Sequence, residues 1–211
     1  ERDPPPAPAS QPSVHARFNW IAEVLGNLIG GLREPTIVSG RRIHRRGRPH
    51  RVAAVSAAAV TSDTMELQGS ITAAGYRFAI IVSRFNAEIT EGLLSGARAA
   101  LESAQVRADD ITLVRVPGAF EIPMTARRLA ETGRFDAIIC LGCVIKGETM
   151  HFEYIASAVS QGIMDVGTST GVPVTFGVLT TLTDEQAAMR AAAGAENKGR
   201  EAALAAIEMA T

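Results

Sequence analysis

Strand-length and helix-length segments alternate four times between residue 78 and the end of this chain, and that alternation constrains its fold more than any other feature. Phe78-Ala79-Ile80-Ile81-Val82 is a short unbroken apolar run, the pattern of a strand covered on both faces in a parallel sheet. A helix is expected next, over about Ala87–Ser103, because Ile89, Leu93, Ala97 and Leu101 recur every fourth residue. Ile111–Val116 reads as the second strand. The helix after it, around Ile122–Thr132, is expected to stop at Gly133, a natural C-terminal cap. Ala137–Ile145 is the most apolar strand, followed by a helix over roughly Phe152–Ser169 that ends before Gly171. Val172–Leu179 makes the fourth strand, with Pro173 near its start and the turn Thr180-Thr181-Leu182-Thr183 behind it. Thr183 is expected to cap the next helix, with Gln186 three residues on completing a capping box. An Ala-rich helix from about Lys198 to Met209 closes the chain.

This order predicts the α/β class: a four-stranded parallel sheet between two layers of helices, a three-layer α/β/α sandwich. Right-handed crossovers bring the C-terminal ends of all four strands to one edge. Ligands of such sheets bind beside that edge, so the segments just past each strand are where function is sought.

Residues 1–64 have a different character. They open on Pro4-Pro5-Pro6 and a Pro/Ala/Ser run, and reach the basic cluster Arg41-Arg42-Ile43-His44-Arg45-Arg46. Asn19 to Leu32 has some apolar periodicity, interrupted by Gly26, Gly30 and Gly31. The segment holds 9 Lys+Arg against 5 Asp+Glu, and its basic, acid-poor, Ser- and Ala-containing composition is that of an organelle transit peptide. The plainer account is an upstream extension preceding a true start at Met65. Residues 1–64 are therefore expected to be a disordered or non-native extension, and 65–211 the folded domain. From Met65 on there are 12 Lys+Arg and 17 Asp+Glu, an acidic balance that offers nucleic acid no electrostatic footprint. No apolar run approaches the ~20 residues needed to span a bilayer. Two cysteines make no disulfide framework, which points to a reducing cytoplasm, or to a plastid if the leader is a real transit peptide.

Four segments follow the strands: Ser83-Arg84-Phe85-Asn86, Pro117-Gly118-Ala119-Phe120-Glu121-Ile122-Pro123, Lys146-Gly147-Glu148-Thr149-Met150-His151, and the region of Phe176 with Thr180–Thr183. Topology alone brings aromatic rings, a carboxylate and an imidazole to one edge. An aromatic face suits a flat heterocycle, and a few fixed polar groups orient it. His151 is the only histidine after residue 50, at the start of a helix on the ligand edge. Imidazole is the side chain that exchanges protons near neutral pH, although a lone histidine is more often structural. Gly147-Glu148-Thr149 offers backbone N–H groups and a hydroxyl at a helix N-terminus, a phosphate cradle or an ordinary strand-to-helix turn. Glu121 stands in apolar company, where a polyhydroxyl ligand would supply donors; a helix N-terminal carboxylate is the plainer account. Arg190 and Lys198 are the remaining cations of interest, each otherwise a solvated surface charge. Cys140 and Cys143 are three apart within a strand, which sends them to opposite faces and favours a structural role over a redox or zinc pair. No second histidine or close acidic cluster supports a metal site.

Five segments together carry a resemblance. They are Arg84-Phe85-Asn86; Val116-Pro117-Gly118-Ala119-Phe120-Glu121-Ile122-Pro123; Gly142-Cys143-Val144-Ile145-Lys146-Gly147-Glu148-Thr149-Met150-His151-Phe152-Glu153; Phe176-Gly177-Val178-Leu179-Thr180; and Asn197-Lys198-Gly199. In this order, and from Met65 to the end without a large insertion, the chain resembles the lumazine synthases.

The resemblance implies a flavodoxin-like version of the sandwich. It also implies condensation of 5-amino-6-(D-ribitylamino)uracil with L-3,4-dihydroxy-2-butanone 4-phosphate, without cofactor or metal, in riboflavin biosynthesis. By motif, Phe85 stacks on the pyrimidine. Ala119, Phe120 and Glu121 line the site, with Glu121 near the ribityl hydroxyls, and Cys143, Val144 and Ile145 meet the heterocycle. Glu148, Thr149 and Arg190 sit at the phosphate, with Lys198 a weaker supporting charge. His151 carries protons, and Phe176 closes the pocket from a neighbouring subunit. The implied assembly is a homo-oligomer, a pentamer or a multiple of pentamers, with riboflavin synthase a further candidate partner. One stretch departs from the family pattern: Ala191-Ala192-Ala193-Gly194-Ala195-Glu196 lacks a lysine and adds a glutamate where a Gly-Thr-Lys-Ala-Gly type of run is usual. A non-catalytic flavin- or lumazine-binding shell protein on the same scaffold is the alternative, and the joint retention of Phe85, His151 and Arg190 speaks against it. A flavodoxin-like electron-transfer module needs a tight phosphate loop after strand one, and Arg84-Phe85-Asn86-Ala87-Glu88 is not one.

Overall fold

The computed structural model describes residues 66–211; the expectation for residues 1–64 falls outside the described residues. The elements are β1 (Phe78–Ser83), α1 (Ala87–Ser103), β2 (Ile111–Val116), α2 (Ile122–Glu131), β3 (Ala137–Ile145), α3 (His151–Thr170), β4 (Val174–Thr181), α4 (Asp184–Ala191) and α5 (Lys198–Ala210). Single 3-10 turns at Ala108–Asp110 and Ala119–Glu121 precede β2 and α2.

The four strands form one parallel sheet in the order β2-β1-β3-β4. β1 and β3 are central, and all six residues of β1 are buried, as its unbroken apolar run requires. Alternate residues serve the two faces. Phe78, Ile80 and Val82, with Ile139, Leu141 and Cys143, join Leu93, Ala97 and Leu101 of α1 and Ala203, Ala206 and Ile207 of α5 in one cluster, closed at its end by Ala187 and Ala191 of α4. The opposite face carries Ile81, Ile138 and Cys140 and is covered by α2 and α3, which bury Ile122, Leu129, Val159 and Ile163. The expected α/β/α sandwich is therefore the fold of the described residues.

Close approach between layers depends on glycine. A Cβ on Gly199 would fall 2.0 Å from the Leu93 carbonyl oxygen, so α1 and α5 touch backbone to backbone there. Gly133 and Gly171 end α2 and α3 in the left-handed region, φ 63° and 73°, as their positions predict.

The fourth strand differs from expectation by two residues at each end. Pro173 has no N–H to give, so the strand begins at Val174, although the Pro173 carbonyl still accepts from Ile138 N–H at 2.9 Å. Thr180 and Thr181, expected in a turn, pair with Val144 and Ile145. The capping box at α4 is only half formed. Thr183 accepts from Gln186 N–H at 3.3 Å, but the Gln186 side chain accepts from Leu182 N–H at 3.0 Å instead of returning to Thr183.

Candidate active site

The turn from β1 to α1 is tied at every step. Arg84 N–H donates to the Val116 carbonyl at 2.8 Å and Phe85 N–H to the Pro117 carbonyl at 3.1 Å, so the β1–β2 ladder runs on past both strands. Thr90 Oγ1 donates to the Ser83 carbonyl at 2.9 Å, and the Asn86 carbonyl accepts from Ile89 and Thr90 N–H to open α1. Asn86 is left-handed, φ 56° and ψ 51°, and its Nδ2 donates to the Cys143 carbonyl at 3.1 Å. On this fixed backbone Phe85 is 69% exposed, an aromatic plate left largely open by the described residues.

Past β2, the 3-10 turn Ala119–Glu121 lies against the end of β3. A Cβ on Gly142 would meet Ile122 Cδ1 at 3.1 Å and Ala119 Cβ at 3.5 Å, so glycine there lets the turn sit on the strand. Glu121 Oε2 accepts from Gly118 N–H at 2.9 Å and closes the turn, while its Oε1 has no partner among the described residues. Phe120 beside it is 57% exposed.

At the end of β3, Cys143 is buried and Val144 and Ile145 are half-buried. Lys146 N–H donates to the Thr181 carbonyl at 2.9 Å, after which the chain leaves the sheet through exposed Glu148 and Thr149. Thr149 Oγ1 accepts from His151 N–H at 3.5 Å in the first turn of α3, and the His151 side chain is exposed. Burial pushes the Cys143 thiol up to about 11 and the Cys140 thiol higher still, which removes both as nucleophiles near neutral pH.

Phe176, Arg190 and Lys198 form a second group. They line a hollow of about 390 Å³ on the open side of edge strand β4, together with Thr180, Glu201 and Ala205. None of Phe85, Glu121 or His151 lines it. Within one chain the expected site residues thus divide between the carboxyl edge of the sheet and the hollow along β4. Lys198 Nζ is held by Glu201 at 2.7 and 2.9 Å, whereas Arg190 Nη1 donates to an uncharged group, the Gln186 carbonyl, at 3.1 Å.

Residues 75–211 match the model of the family described as 6,7-dimethyl-8-ribityllumazine synthase. The chain is 52% identical over 145 residues to a Salinibacter ruber protein named 6,7-dimethyl-8-ribityllumazine synthase, an alignment covering 69% of this chain and 93% of that relative. The chain belongs to the lumazine synthase family.

Two asparagines inside the family motifs have structural work that their spacing alone does not reveal. One is Asn86, above. The other is Asn197, 1% exposed, whose Nδ2 reaches the carbonyls of Gly92 at 3.1 Å, Ala191 at 2.8 Å and Ala192 at 3.1 Å. Its Oδ1 accepts from Arg200 N–H at 3.0 Å. It therefore fastens α1, the end of α4 and the start of α5 at one point, and with them the loop separating Arg190 from Lys198. The one available sequence signal was an Asn immediately ahead of each helix, which marks a cap and nothing more. Within the departing stretch, Ala193 to Glu196 are exposed, and Glu196 makes no ion pair among the described residues.

Proposed function

We infer that this lumazine synthase family member condenses 5-amino-6-(D-ribitylamino)uracil with L-3,4-dihydroxy-2-butanone 4-phosphate to 6,7-dimethyl-8-ribityllumazine, releasing phosphate and water, as an enzyme of riboflavin biosynthesis. The observation that carries this reading is the convergence at the carboxyl edge. An uncovered aromatic plate (Phe85), a carboxylate oxygen left open by its own turn (Glu121) and the only imidazole among the described residues (His151) follow three neighbouring strands. Phe85 stacks on the pyrimidine, and Ala119, Phe120, Cys143, Val144 and Ile145 enclose it. Glu121 accepts from the ribityl hydroxyls.

The chemistry asks for little beyond this. The uracil's amine condenses with the ketone to an imine with loss of one water, phosphate leaves by β-elimination, and ring closure onto the carbonyl so formed expels a second water. Each step moves a proton between neighbouring atoms, which one imidazole can relay. Holding a reactive amine beside a ketone supplies much of the remaining rate. Glu148, Thr149 and Arg190 receive the phosphate, with Lys198 in support.

The division of the site between two regions of one chain supports a homo-oligomer in which the hollow of one subunit, bearing Phe176, Arg190 and Lys198, completes the carboxyl edge of the next. A pentamer or a multiple of pentamers is the assembly proposed, with riboflavin synthase as a further partner and the cytoplasm as its compartment. No helix among the described residues is long and apolar enough to cross a membrane.

Mixing the purified protein with both substrates and following lumazine fluorescence tests the reading. Sustained, phosphate-releasing turnover is expected. Tight binding of lumazine or riboflavin without turnover would instead make the chain the non-catalytic binding protein.

A further inference from the structure

β1 lies between β2 and β3, and its exit turn must carry Phe85 at a fixed height above both neighbours. On the β2 side the backbone does this by itself, through the Arg84–Val116 and Phe85–Pro117 hydrogen bonds. On the β3 side the ladder stops early: the last paired residues are Val82 and Leu141, two short of Cys143. The Cys143 carbonyl receives its hydrogen bond from the Asn86 side chain, at 3.1 Å. One side chain thus adds a rung where the strands have parted, and does so from the residue directly after Phe85.

The conformation of Asn86 narrows the choice of side chain. Its φ of 56° lies in the left-handed region, open to glycine and, among side chains, chiefly to asparagine and aspartate. The rung needs a donor, which glycine lacks, and aspartate would set a carboxylate oxygen against the Cys143 carbonyl. Glutamine and serine bring a donor but not the backbone preference. Of these five residues, asparagine alone meets both conditions.

We propose that Asn86 is a positioning residue for the pyrimidine half of the site, its Nδ2–Cys143 hydrogen bond fixing the exposed Phe85 ring over the carboxyl end of β3. Asn86 acts through Phe85 and the β3 backbone. The phosphate half of the site, at Thr149 and Arg190, does not depend on it. The two substrates must therefore respond differently to its loss, which a residue serving only stability would not produce. The inference rests on the proposed reaction.

The test uses Asn86→Gly, which keeps the backbone conformation and deletes the rung, and Asn86→Asp, which keeps the conformation and replaces donor with acceptor. Full-length protein is assayed by lumazine fluorescence, varying each substrate at saturation of the other, with circular dichroism and light scattering as checks of fold and assembly. For both variants the KM for the ribitylaminouracil is expected to rise about tenfold, more for Asp than for Gly, with the KM for the butanone phosphate within twofold of wild type. Wild-type KM values for both substrates, an equal rise in both, or loss of fold or assembly in both variants would each overturn the assignment. A wild-type protein that forms no lumazine would remove the proposed reaction and this inference together, whereas an active wild type with unresponsive variants would remove the inference alone.

Discussion

Two cations line the hollow beside Phe176, and their surroundings set them apart. Glu201 neutralises Lys198 locally, while four of Arg190's five N–H donors have no acceptor among the described residues, which suits the proposed role at the phosphate. Arg190→Ala is therefore expected to raise the KM for the butanone phosphate roughly ten- to a hundredfold, the size of one lost charge-assisted hydrogen bond, and Lys198→Ala to raise it less. Steady-state kinetics with that substrate varied would check the order. For His151→Ala, kcat should fall by about one to two decades, near the low end of acid–base assistance, because positioning of the reactants is untouched. A loss of five decades would mean that the role is misassigned. The thiol of Cys143 gives a pH effect with a definite sign. Its proton is held more tightly in the folded chain, so stability is full below the ordinary thiol value near 9 and declines as pH rises toward about 11. Urea unfolding at pH 8 and pH 10.5 should show a loss that Cys143→Ala partly abolishes. Much of this was legible in the sequence, because aromatic, imidazole and guanidinium groups advertise their chemistry by type. What Asn86 and Asn197 do was not, since an amide's task depends on which carbonyls the fold brings within 3 Å.

At the scale of elements, periodicity located α1 and the first three strands because the burial pattern that defines them is written residue by residue. The bounds of β4 were not legible. Val172 and Pro173 are as apolar as any strand residue, and only the missing N–H shifts the first rung to Val174. Thr180 and Thr181 resemble turn residues in composition, yet β3 continues beside them and supplies partners. The contact between α1 and α5 was also hidden, since a glycine reads as a helix breaker until another backbone is found against it. Gly199→Ala would force a methyl onto the Leu93 carbonyl oxygen, and the helices must separate to admit it. A loss of about 1–3 kcal/mol is expected, in the range of overpacked interiors, measurable as a lower urea midpoint. Asn197→Ala should cost more, roughly 2–4 kcal/mol, because it removes a helix cap and leaves interior carbonyls without a donor.

At the scale of the molecule, α3 buries only Val159, Ile163 and Val166 of its 20 residues, while Tyr154 and Met164 stand 70% and 65% exposed. Sequence pattern could not separate these from core positions, because apolar side chains read alike whether the fold covers them or leaves them exposed. The division of the expected site residues was hidden as well, and appears only when Arg190 is found in a hollow that His151 does not line. That division makes a prediction independent of any single substitution. In the proposed ring of identical subunits, joined head to tail, every interface would set the carboxyl edge of one subunit against the β4 hollow of the next. His151→Ala would lack the proposed proton carrier at every site, and Arg190→Ala the proposed anion ligand. When the two are co-expressed, an Arg190→Ala subunit supplying the edge meets a His151→Ala subunit supplying the hollow at about one interface in four, by random assortment around a closed ring. Those sites hold both groups, so with the butanone phosphate held near the wild-type KM the mixed assembly should recover about a quarter of the wild-type rate, while each variant alone stays well below that. If both groups instead served a site within one subunit, every site would lack one of them, and the mixture would show only the average of the two damaged proteins.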